Sequence, residues 1–311
     1  MKRLLVLIAF LLLLTGCASA LESAKNSIDK YNEELVVYSQ KIANYNNAAK
    51  ERNESTIALT NELHSSQEAI NRNETPFDET TLSELKDAIV KGNEALVSEV
   101  EVIPEYTPLS VSESMSDEEL KTIKKQADQD LKAMKNVSVP ELPESVDYSD
   151  VLSVLQRAHK AYENSITSLK QITAPSDDFV MSRLQRIDTI LGMEAVTEDH
   201  DPNGHLNKAG GYIGTIYFRD SRIKEADLYL FGDETIIDIG TDGGGAIEIY
   251  PNVEDAESRN AYLGAFDGSA LKVGSHVVYG TIVIRTSDYL TASQQKELTE
   301  KILNALIEVE E

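Results

Sequence analysis

Residues 21–49 read LESAKNSIDKYNEELVVYSQKIANYNNAA. Leu21, Ile28, Leu35, Ile42 and Ala49 recur every seven residues, and a row three residues later holds Ala24, Tyr31, Tyr38 and Tyr45. Rows spaced three and four apart form one stripe along a helix, the pattern of a coiled-coil seam. The rows continue through Thr56, Leu63 and Ile70 and through Arg52, Leu59, Ser66 and Asn73, with a weaker middle at Arg52 and Thr56. No Gly or Pro interrupts Leu21 to Thr75, and Pro76 closes the run. The spacing predicts a helix of about fifty residues, about 75–80 Å long at 1.5 Å per residue. The tyrosine row invites comparison with a sugar-stacking stripe. It falls on the period that packing requires, so it reads as seam with hydroxyls at the edge.

Toward the C-terminus the pattern stays helical. Residues 78–102 carry Leu82, Leu85, Ile89, Leu96 and Val100, with Gly92 as a weak point. Ile103 to Pro108 reads as a linker. Ser116 and Glu119 form a capping box that opens a third helix through Leu120, Ile123, Ala127, Leu131 and Met134. Pro140 and Pro143 stop it. A fourth helix runs from about Ser149 to Thr173, with His159 on its seam as a packed or edge residue. Four helices joined by Pro-containing turns suggest an antiparallel, coiled-coil-like bundle over 17–175.

Toward the N-terminus, Met1-Lys2-Arg3 is basic, Leu4 to Leu14 is apolar, and Leu14-Thr15-Gly16-Cys17 follows. The apolar run is too short to span a bilayer and suits a secretory signal. Its end resembles the bacterial lipoprotein signal, and Cys17 is the only cysteine in the chain. The resemblance implies removal of residues 1–16, a lipid (palmitate-type acylation included) on Cys17, and anchoring on the extracellular face of the cell membrane. Two or three acyl chains hold a protein stably where one would not.

At Ala174-Pro175-Ser176 the composition changes. Gly92 is the only glycine between 18 and 175, and fourteen of the 16 glycines follow residue 175. Residues 176–311 read as an α+β module in the order α-β-β-β-α-β-α. A helix from Asp177 is ended by Gly192. Strands follow at Ile213–Arg219, Thr235–Gly240 and Ala246–Tyr250, the last two joined by a hairpin at Thr241–Gly245. Asn252 caps a helix to about Phe266, His276–Thr286 is one long strand, and Thr291 caps the last helix. This predicts a small antiparallel or mixed sheet with helices on one face.

Several passages in this module are shared with a known group. They include Ala195-Val-Thr-Glu-Asp-His-Asp-Pro-Asn-Gly204, Gly244-Gly-Ala-Ile-Glu-Ile-Tyr250 and Gly280-Thr-Ile-Val-Ile-Arg-Thr-Ser287. Together they resemble a C-terminal module of uncharacterised surface lipoproteins and secreted proteins of Gram-positive bacteria. The resemblance covers about 195–300 and implies a Gram-positive cell surface, but no reaction.

Asp199, Asp201, Asn203 and Gly204 fit the first half of a calcium loop, in which alternate side chains converge on a hard cation. The twelfth position, where a bidentate Glu belongs, is Gly210. At most a weak calcium site follows, and Asp-Pro-Asn-Gly is equally a plain turn. His200 and His205 with Glu198 or Asp199 would need His276 from afar to hold zinc. Gly243–Gly245 lies between predicted strands and reads as a turn rather than a phosphate cradle. Arg259 and Arg285 are the candidate contacts for a carboxylate or sulfate ligand, with pairing to an acid of the module as the competing reading.

With 53 acidic against 29 basic side chains and a formal charge of −24, the composition argues against a nucleic-acid partner. No G-x-S-x-G, H-E-x-x-H, Walker or Rossmann pattern occurs. The sequence therefore leads to a lipid-anchored surface protein whose helical spacer presents an α+β binding module to a protein or cell-wall partner, without catalysis or cofactor. The alternative is an extracellular hydrolase acting through the C-terminal module. A transporter's solute-binding subunit is disfavoured, because it needs two α/β lobes.

Overall fold

The computed structural model describes residues 2–310 except 229, 231, 233 and 269–273, and side chains from residue 19 onward. It is a mixed α+β chain with helices α1 (Lys2–Asn71), α2 (Thr80–Ala95), α3 (Asp117–Lys135), α4 (Ser149–Gln171), α5 (Asp177–Leu184), α6 (Ile236–Ile239), α7 (Val253–Gly264) and α8 (Ala292–Ile307). Strands β1 (Ile190–Ala195), β2 (Gly214–Asp220), β3 (Gly244–Ile249), β4 (Ser275–Tyr279) and β5 (Ile282–Thr286) form one antiparallel sheet in the order β1-β2-β3-β5-β4. No helix among the described residues is long and apolar enough to cross a membrane. Contacts divide the chain into two units, Met1–Ser65 with Val90–Val154, and Ser66–Ile89 with Leu155–Glu311.

In the first unit, Ile28, Tyr31, Leu35, Tyr38, Ile42, Tyr45 and Ala49 of α1 pack with Ile103, Ala127 and Met134. The heptad stripe is thus core. Its antiparallel neighbour is an extended segment in place of a helix. The Tyr31, Tyr38 and Tyr45 hydroxyls donate to the carbonyls of Thr107 (2.7 Å), Pro104 (2.6 Å) and Glu101 (3.0 Å). One residue along α1, the amides of Asn32, Asn46 and Asn53 each bind both backbone groups of one residue: Leu109, Ile103 and Val100. Seven helical residues rise about 10.5 Å and three extended ones about 9–10 Å, so a heptad on α1 stays in step with a triplet on the segment. This extended run needs no sheet, because side-chain amides and phenols satisfy its backbone.

The ladder skips one rung. Ser39, exposed, stands where an Asn would face Tyr106. We expect Ser39→Asn to raise stability by about 0.5–1.5 kcal/mol, the net value of a hydrogen bond. A urea midpoint equal to or below the parent's would show that the 7:3 register does not extend across this gap.

The second unit contains the sheet, and helices cover both of its faces. Ile216 and Phe218 of β2, Ile247 and Ile249 of β3, and Ile282 and Ile284 of β5 pack with Val180 and Leu184 of α5 and Leu298, Ile302 and Leu306 of α8. The alternate residues Tyr217, Ala246 and Val283 face Ala256 and Leu263 of α7. The expectation of helices on one face is corrected by α7.

Four local expectations also change. The helix from Asp177 stops at Leu184, and Gly192 lies within β1, where the register with β2 shifts between Ile190 and Gly192. Thr235–Gly240 is the short helix α6, because Thr235 and Asp238 form a capping box that outweighs three isoleucines' preference for a strand. Gly240–Gly243 is a 3-10 turn where a hairpin was expected, and β3 pairs with β2 directly. His276–Thr286 is two strands, turned at Gly280, whose φ is 58°. A Cβ there would lie 2.4 Å from the Ile172 carbonyl. We expect Gly280→Ala to destabilise by about 1–3 kcal/mol, the cost of strained backbone; an unchanged melting temperature would refute this.

The composition break at 175/176 falls inside the second unit. Ile172 belongs to the sheet core, the Thr281 amide donates to its carbonyl (3.0 Å), and the Ser168 hydroxyl donates to the Ile307 carbonyl (2.7 Å).

Candidate functional site

Glu248 is the centre of the α7-facing side of the sheet. It sits in β3 among residues buried on both faces and is itself fully buried. Arg259 of α7 donates through Nε to Glu248 Oε2 (2.8 Å) and through Nη2 to Oε1 (2.9 Å). Arg285 of β5 donates through Nη1 to Oε1 (2.9 Å), and the Tyr250 hydroxyl donates to Oε2 (2.9 Å). Sheet register brings this about. Ala246 pairs with Arg285, and Glu248 lies two residues along on the same face. Asn252 caps α7 through the Asp255 amide, which sets Arg259 two turns into the helix over that face.

Burial alone would push the Glu248 carboxyl upward, but the Arg259 hydrogen bonds and the two guanidinium charges bring it below the ordinary glutamate value. Burial, together with the adjacent Glu248 charge, holds the Tyr250 phenol far above its usual range. The cluster carries two cations and one anion, and Arg285 Nε is buried without a hydrogen-bond partner.

An open cleft of about 360 Å³ lies at the Arg259 end, lined by His205, Gly210, Tyr212, Tyr250, Arg259 and Tyr262 among others. Tyr262 is 58% exposed, and the Arg259 guanidinium carbon lies 5.6 Å from its ring centre. The opposite wall comes from the loop holding the Asp-Pro-Asn-Gly turn.

That turn is organised by Asp201. Its Oδ1 accepts from the Asn203 amide (3.1 Å) and from the Tyr212 hydroxyl, and its Oδ2 accepts from the Leu206 amide (2.8 Å). Burial opposes the charge, but these donors hold the carboxyl below the ordinary aspartate value. Burial and the Asp201 contact raise the Tyr212 phenol strongly. Asn203 Nδ2 donates to the Tyr217 hydroxyl (3.2 Å). The structure thus engages the Asp201 and Asn203 side chains with protein donors and acceptors in the turn that builds the cleft wall. Among the described residues, no three His, Cys, Asp or Glu side chains are placed to share a metal ion. We expect Asp201→Ala to lower stability by about 1–3 kcal/mol, the cost of orphaning its donors. An unchanged melting curve would contradict the structural role.

The histidines go to different places. His200 Nε2 meets Asp238 (2.8 Å), His276 meets Asn260 (2.6 Å) and Asp267 (3.3 Å), and His205 stacks edge-on to Tyr212. His159 pairs with Glu163 at 3.5 Å. Gly245, at φ 154°, lies against β5, and a Cβ there would meet the Arg285 carbonyl at 2.2 Å. These glycines let strands close up. The Cys17 side chain lies outside the described residues.

The two candidate arginines are brought together, on Glu248. Sequence reading did not single out Glu248, Tyr212, Tyr250 or Tyr262. One signal was present: a lone Glu at an alternate position of the strand Ala246-Ile-Glu-Ile-Tyr250. The chain matches no protein-family profile, no curated protein and no solved structure.

Proposed function

We propose that the protein is a non-catalytic surface protein, lipid-anchored at Cys17 on the extracellular face of the cell membrane, which binds a ligand in the cleft beside Arg259. The helical region serves as its spacer. The lipoprotein-like Leu14-Thr15-Gly16-Cys17 supports the anchor. The observation that carries the binding role is the Arg259–Glu248–Arg285 cluster. A guanidinium is held rigidly by a buried carboxylate at the mouth of an aromatic cleft, where three hydrogen-bonding phenols or guanidiniums would be costly to bury for packing alone.

Two measurements test the two halves. Cys17→Ser releases the protein from the membrane fraction or leaves it unprocessed; continued detergent-phase partitioning with unchanged mass refutes the anchor. The released chain binds isolated cell envelopes, and Ser258→Tyr, which crowds the cleft from an exposed position, abolishes that binding at unchanged melting temperature. Envelope binding that is absent in the parent or indifferent to the substitution refutes the cleft.

A further inference from the structure

We infer that the ligand of this cleft is a carboxylated sugar of the uronate type; the inference rests on the binding role proposed above. Three features of the lining select it. The first is charge. Arg259 and Arg285 share the single carboxylate of Glu248, so the cluster has one cation in excess. A monoanion balances it. Glu248 occupies Nε and Nη2 of Arg259, and the Nη1 end left to a ligand is a planar, charge-assisted donor that suits a carboxylate. Sulfate and phosphate bring about two negative charges at neutral pH and overshoot that balance. An amino acid brings an ammonium group close to the Arg259 guanidinium.

The second feature is hydrogen-bond polarity. The Tyr212 hydroxyl hydrogen is committed to Asp201, and that of Tyr250 to Glu248. With those hydrogens taken, lone pairs are what either hydroxyl has left for a ligand. The ligand must therefore supply donors beside its carboxylate, which sugar hydroxyls do and a simple carboxylic acid does not. The third is shape. The rings of Tyr262, Tyr212 and His205 give the walls apolar area, suited to the C–H faces of a pyranose. At about 360 Å³ the cleft is at the small end of ligand sites.

The test is calorimetric titration of the intact chain with sodium D-glucuronate, D-glucose, sodium acetate, sodium sulfate and glycine at matched ionic strength. We expect glucuronate to bind at least about tenfold more tightly than each of the others, the discrimination a charge-assisted contact to the free end of Arg259 provides. Arg259→Lys, which keeps the charge and loses the fork, narrows the glucuronate-to-glucose ratio. Because Arg259 also holds Glu248, Ser258→Tyr serves as the variant at an exposed site, and it abolishes glucuronate binding at unchanged melting temperature.

Equal affinity for glucose and glucuronate, or tighter binding of sulfate or glycine, overturns the ligand class. If Ser258→Tyr still blocks envelope binding in that case, the cleft remains a binding site for another ligand. Glucuronate that binds the parent and Ser258→Tyr alike overturns the placement. No probe bound, with envelope binding lost in Ser258→Tyr, overturns the sugar acid and leaves the proposed function standing. No probe bound and no cleft-dependent envelope binding overturns both.

Discussion

Glu248→Ala destabilises the second unit by about 3–5 kcal/mol, the cost of leaving buried charges without their partner. For a unit of this size that corresponds to a fall of roughly 6–20 °C in melting temperature. The reason is asymmetry. In the parent, one fully buried carboxylate accepts from two guanidiniums and a phenol. Removing it leaves Arg285, itself nearly buried, and Arg259 beside one another without a counter-charge. The opposite manipulation separates stability from function. Replacing Glu248, Arg259 and Arg285 together by apolar residues of similar volume removes all three charges of the cluster at once and is neutral or stabilising in comparable clusters. We expect that triple variant to melt at or above the parent and to lose ligand binding. A Glu248→Ala loss below about 1 kcal/mol would mean that solvent reaches the arginines and that the cluster is not dry.

The same carboxylate sets a pH dependence. Its folded value lies below the ordinary 4.5 of glutamate, so it binds protons less readily in the folded state than in the unfolded chain. Its contribution is therefore complete above about pH 4.5 and is lost as pH falls through the lower folded value. The stability gap between parent and Glu248→Gln should be constant from pH 7 to 5 and shrink below that. A gap that widens on acidification would mean that burial, not the arginines, dominates.

The parts of this fold legible in sequence are those whose signal is local. The heptad on α1 marks the residues that become core because helical periodicity and packing share a period. The capping boxes at Ser116 and Thr291 locate helix starts to the residue. Where two local signals compete, reading fails. Ile236, Ile237 and Ile239 favour a strand, while the Thr235–Asp238 box and Gly240 favour one turn of helix, and the box wins. The long strand His276–Thr286 hides a turn because Gly280-Thr281 carries only one turn residue. The cleft was legible in parts only. Arg259 and Arg285 stood out, but the carboxylate that joins them depends on β3–β5 register, and the Tyr212 wall depends on a loop folding back on Asp201. Those are contacts of long sequence separation, for which periodicity has no signal.

The extended segment along α1 is a further case of long-range pairing, and it leads to the other large effect. Asn46 is buried, and its amide accepts from the Ile103 N–H (3.0 Å) and donates to the Ile103 carbonyl (2.9 Å). Ile103 is buried too, so water cannot take over either group. Asn46→Leu retains volume and apolar packing but orphans a donor and an acceptor at about 1–3 kcal/mol each, so we expect a loss of about 2–6 kcal/mol. Asn32 and Asn53 make the same paired contacts with Leu109 and Val100 but are only partly buried, so water compensates there. Their Leu variants should each lose about 1 kcal/mol or less. The ordering carries the argument, because helix propensity favours Leu over Asn equally at all three positions and cannot produce it. Urea midpoints of the three single variants decide the matter. Equal losses would mean that the segment is held by its apolar side chains, with the 7:3 ladder contributing nothing measurable.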